Sequence, residues 1–94
     1  MTIDEFLRAC LDQDEAALRD YIGHWTPDPI QQRRLDDFVA KRKIIDLYTE
    51  AAGRAAAELV PSDHEVRAAA LADVMQILAE AYDTRPGWQE EWRP

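Results

Sequence analysis

The sequence predicts an all-α fold: a small bundle of three amphipathic helices with a tryptophan-containing C-terminal tail packed back on it. Three observations predict this. Apolar residues recur at spacings of three and four in three separate segments. Each segment opens with a capping signature. No stretch alternates or is rich in β-branched residues, so no sheet is expected. A chain of 94 residues has room for one domain, residues 1–94, with a thin core.

Helix one is predicted over about 3–22. Thr2 and Glu5 form a capping box, and Ile3, Phe6, Leu7, Cys10, Leu11, Leu18, Tyr21 and Ile22 make one stripe. Gly23 is the expected stop, because Trp25-Thr26-Pro27-Asp28-Pro29 cannot continue a helix. Helix two is predicted over about 29–59, with Asp28 as N-cap, Pro29 in the first position and Gln31 closing the box. Its stripe is Ile44, Ile45, Leu47, Tyr48, Ala51, Ala52 and Ala55, wide enough for two neighbours; Gly53 is expected to be tolerated. Leu35 and Val39 fall on the other side, so the first turns either pack separately or meet another chain; both are candidate interaction residues, and with the wide arc they predict a symmetric dimer through helix two. Helix three is predicted over about 63–82, capped by Ser62 and Glu65, with Val66, Ala70, Val74, Ile77, Leu78, Ala81 and Tyr82 as its core stripe. The alanines of helices two and three, Ala51, Ala52, Ala55, Ala69 and Ala70, predict close approach of their axes.

The tail, residues 83–94, carries Pro86-Gly87 and two tryptophans, Trp88 and Trp92. Such rings either complete a small core or anchor a partner, and both remain candidate interaction residues. The expectation is a docked tail, with Trp88 largely buried near Tyr82 and Trp92 partly so.

Composition excludes several function classes. With 11 basic and 19 acidic side chains the formal charge is −8, which disfavours nucleic acid and anionic membranes. No apolar run is long enough to span a bilayer, and Met1-Thr2-Ile3-Asp4-Glu5 is not a signal-peptide start, so a cytoplasmic protein is expected. The one cysteine, Cys10, excludes an internal disulfide and sits on an apolar stripe, where burial makes a thiol inert. The only serine is Ser62 and the three glycines stand apart, so neither a nucleophilic triad nor a phosphate loop is present; no catalytic residue and no cofactor is assigned. The carboxylates Asp12, Asp14 and Glu15 lie on a helix without a calcium-loop glycine. The alternative to a protein-binding role is a small metal-dependent enzyme or metal-binding protein using His24, His64 and nearby carboxylates such as Asp28, Asp63 or Glu65.

Three blocks carry a resemblance. Phe6-Leu7-Arg8-Ala9 with Leu11-Asp12, Asp14 and Glu15 is the first; Ala40-Lys41-Arg42-Lys43-Ile44-Ile45-Asp46 is the second. The third is Leu78-Ala79 with Tyr82 and the ending Glu90-Glu91-Trp92-Arg93-Pro94. Together they resemble a family of short uncharacterised proteins of actinobacteria and their phages, a domain of unknown function. The resemblance implies a bacterial, phage or prophage origin and a domain spanning most of the chain, but no activity. Family members carry histidines before the middle helix and before the tail proline. Here those places read His24-Trp25-Thr26-Pro27 and Thr84-Arg85-Pro86, which weakens a metal role.

Overall fold

The structure, a computed structural model, describes residues 1–58, 60 and 63–94. It contains α1 (Ile3–Ile22), α2 (Pro29–Ala57), α3 (Asp63–Glu80) and a short 3-10 turn at Glu90–Trp92. No strand occurs among the described residues. The fold is a small all-α bundle, as the periodicity implies.

The helix ends follow local chemistry. The Thr2 side chain accepts from the Glu5 amide, and Gly23 closes α1 at φ +59, a conformation other residues rarely adopt. At α2 the Asp28 carboxylate accepts from the Gln31 amide at 2.7 Å, while Gln31 accepts from the Asp28 amide at 3.0 Å. Gly53 does not interrupt α2. The helix stops at Ala57, where Glu58 turns to an extended conformation and donates its N–H to the Ala55 carbonyl. Leu59, the expected last residue of helix two, and Ser62, the expected cap of helix three, lie outside the described residues. α3 stops at Glu80, earlier than expected. Tyr82 and Asp83 form turns instead, their N–H groups reaching back three residues to Ala79 and Glu80.

The chain order and the ion pairs between helices define the packing. Arg8 reaches Asp46 at 2.8 Å, and Arg42 reaches both Asp12, at 2.8 Å, and Glu15. Early α1 therefore lies beside late α2, and the two run antiparallel. The core gathers Phe6, Leu7, Cys10, Leu11 and Leu18 of α1, Phe38 and Ile45 of α2, and Met75 and Ala79 of α3. Phe38 is a core residue that the spacing argument passed over. Tyr21, placed on the α1 stripe from sequence, is exposed, as is Leu47 of α2.

Leu35 corrects the expectation for helix two. It is 7% exposed and belongs to the core, lining a small cleft with Ile22 and Trp25; Val39 is 50% exposed as expected. The physical reason is the length of α2. Its 29 residues extend about 43 Å at 1.5 Å per residue, so its neighbours change along its length and the buried side turns with them.

The tail folds back onto the start of α1. The Phe6 ring lies 5.1 Å from Trp92 and 6.1 Å from Trp88, and the two indoles meet edge-on at 5.8 Å. Trp92 is the buried ring and Trp88 the half-buried one, the reverse of the expected order. Trp92 sits in the 3-10 turn that presses against α3, whereas the Trp88 Nε1–H stays near solvent and donates to Glu90 at 3.1 Å. Gly87 makes the return possible. At φ +95 it occupies a region that favours glycine, and a Cβ there would meet the Phe6 ring at 3.4 Å.

Candidate functional site on the outer face of α3

α3 has two apolar sides, and the structure buries the Met75–Ala79 side; of the expected core stripe only Leu78 and Tyr82 pack there. Met75 and Ala79 are both 0% exposed, with Leu78 and Tyr82 packed against the same core. The stripe expected to be the core is largely open: Val66 is 72% exposed, Ile77 65% and Val74 38%, with Ala70 and Ala81 exposed as well. At 100° per residue Val66, Ala70, Val74 and Ile77 fall within about 80° of arc, some 160° from the Met75–Ala79 side. The reason for the choice is volume. Met75 and the small Ala79 are enclosed in one core with Ile45 and the α1 leucines, which leaves the branched side chains of the other side outside it. Ala51 and Ala79 are each buried, whereas Ala69 and Ala70, expected at the close approach of the two helices, face solvent.

The rim of this stripe is acidic. Asp63, Asp73 and Glu80 flank it, with Arg67 as the one flanking cation, and all four are exposed. Among the described residues none of the four makes an ion pair. Several carboxylates elsewhere are matched: Arg42 joins Asp12 and Glu15, Arg85 meets Asp14 at 2.6 Å, Lys41 meets Asp37 at 2.8 Å, and Glu50 meets Arg54 at 2.9 Å. Asp37–Lys41 and Glu50–Arg54 are pairs within α2, four residues apart. Asp46 and Arg42 instead bridge to α1.

A second polar group gathers where α1, α2 and the tail meet. Arg85 packs over the Tyr82 ring at 5.3 Å while holding Asp14. Burial pushes the Tyr82 phenol and the Cys10 thiol up, and Asp37 raises the Lys41 ammonium. These shifts move the thiol and the phenol away from their reactive anions and keep the lysine charged. Beside them lies an open cleft of about 530 Å³ lined by Asp14, Leu18, Tyr21, Arg34 and Arg85.

The two histidines are not brought together. His24 is an exposed loop residue before α2, and His64 stands in the first turn of α3, so the length of α2 separates them. The His64 Nδ1 contacts the Glu58 carboxylate at 2.7 Å. Among the described residues no group of three histidine, cysteine, aspartate or glutamate side chains could hold a metal ion. Asp12, Asp14 and Glu15, the other acidic candidates, are occupied by arginines. Of the candidate interaction residues, Val39 stays on the surface, Leu35 and Trp92 belong to the core, and Trp88 is packed against it. No helix among the described residues is long and apolar enough to cross a membrane.

Over residues 1–94 the chain matches the Family of unknown function (DUF6221), and it belongs to that family. No curated protein and no solved structure matches it.

Proposed function

We propose that this chain acts by binding another protein rather than by catalysis, and that the outer stripe of α3 is the docking face. The observation that carries this reading is the open row Val66–Val74–Ile77 on a helix whose other side is already packed. The group around Arg85 supports it, since burial moves the Cys10 thiol and the Tyr82 phenol away from their reactive anions and Asp14 is held by Arg85. The dimer expected through helix two rested on its wide apolar arc together with Leu35 and Val39. With Leu35 in the core that face is smaller, and the α3 stripe is an open apolar row along one helix. A cytoplasmic, actinobacterial or phage setting belongs to the same proposal and makes the partner a host or phage protein.

The test is a photo-crosslinking residue placed at Ile77 and, separately, at exposed Asp20 of α1. Adducts that form from position 77 and not from position 20 support the reading. Equal labelling from both positions, or none from position 77 in the native cell, overturns it.

A further inference from the structure

The α3 stripe also indicates the chemistry of what covers it. We infer that its partner is a basic amphipathic helix, an inference that rests on the protein-binding reading above. On α3, Ala70, Val74 and Ile77 are spaced four and three, the alternation of a coiled-coil seam, with Ala81 in the turn just beyond the helix, so the matching shape is another helix. The small residues at either end of the pair Val74–Ile77 leave holes for a partner's larger side chains. The flanks set the charge. Asp63, Asp73 and Glu80 outnumber Arg67, none of them has an ion-pair partner among the described residues, and the chain as a whole carries −8. A second copy would set acidic flank against acidic flank between two bodies of −8, and an anionic lipid surface would be repelled in the same way. A helix with a leucine-type stripe and lysines or arginines beside it satisfies both the seam and the rim.

The experiment uses the intact protein and two labelled synthetic peptides with one shared leucine stripe, flanked by lysines in one and by glutamates in the other. Fluorescence anisotropy should show the lysine peptide binding at least about tenfold more tightly at low ionic strength, with the gap narrowing as salt rises. Ile77→Asp should abolish that binding, and Val66→Asp should weaken it if the first variant does not fold. The double change Asp73→Lys with Glu80→Lys should shift the preference toward the glutamate peptide. Equal binding of both peptides, lost in Ile77→Asp, overturns the basic partner but leaves the docking face standing. A sedimentation mass of twice the chain, lost in Ile77→Asp, also overturns it and assigns the face to a second copy. Binding by neither peptide overturns the inference, and if position 77 also fails to crosslink, the docking reading falls with it.

Discussion

α1 and α3 each carry an apolar stripe at helical spacing, yet one is the centre of the molecule and the other lies in the open. Phe6, Leu7, Cys10 and Leu11 of α1 are almost completely buried, whereas Val66, Val74 and Ile77 of α3 face outward. The difference lies on the far side of each helix. Opposite its stripe α1 presents charged residues such as Asp12, Arg19 and Asp20, so only one orientation removes apolar surface from water without stranding a charge. α3 is alanine-rich and apolar on two sides, so hydrophobicity leaves its rotation undecided and packing volume selects the Met75–Ala79 side. A stripe left over from that selection is available for binding.

The comparison breaks most visibly at the α1 end. Trp92→Ala removes a ring packed on Phe6, and large-to-small changes of this kind cost about 3–5 kcal/mol. At roughly 4–8 °C per kcal/mol for a domain of this size, the melting temperature should fall by more than ~12 °C. Deleting residues 84–94 should cost at least as much. A truncated protein that melts where the intact one does would show that the tail contributes nothing to the core.

Next comes the contrast within α3. Met75→Ala should destabilise by ~2–5 kcal/mol, while Ile77→Ala, two positions away, should stay within ~0.5 kcal/mol. Urea unfolding of the two variants measures the difference directly. Equal losses would mean that the Ile77 side is covered in solution.

Gly53 tests the middle of α2. Nothing lies within 4 Å of the Cβ it lacks, so Gly53→Ala should stabilise by about 0.5–1 kcal/mol through helix propensity and a less flexible unfolded chain. A decrease in thermal stability would show that the helix needs the glycine.

The smallest effect concerns Glu15. Hydrogen bonds from Arg19 and then Arg42 hold its carboxyl below the usual carboxylate range. A folded-state value below the unfolded one means that the pair stabilises above the unfolded value, near 4.5, and that this is lost as pH falls through the folded value. For a pair near the surface the contribution is at most about 1 kcal/mol. Glu15→Gln should therefore lower stability at pH 7 and show less acid dependence below pH ~4.5 than the parent. Parallel stability–pH curves would remove Glu15 from the linkage.

Much of the fold was legible in the chain. The Thr2 cap, the Asp28–Gln31 capping box with Pro29 behind it and Gly23 at a helix stop act within a few residues, so α1 and the start of α2 stand where the sequence implies, although Glu5 binds the Thr2 hydroxyl and not its N–H. The return of the tail was legible too, because two tryptophans in a chain short of core have most to gain by docking. Which indole is buried was not, since that depends on the path through Gly87 and on the position of Phe6.

By itself the sequence determined the three helices, the two ends of α1, the start of α2 and the acidic character, all of which follow from local spacing and from composition. Only the tertiary structure decided where the apolar surfaces meet. It drew Leu35 into the core because a long α2 changes neighbours along its length. It separated His24 from His64 by that same length. It turned Met75 inward and left Val66, Val74 and Ile77 outside, because a helix apolar on two sides is oriented by the shape of its neighbours, and shape is a property of the assembled bundle.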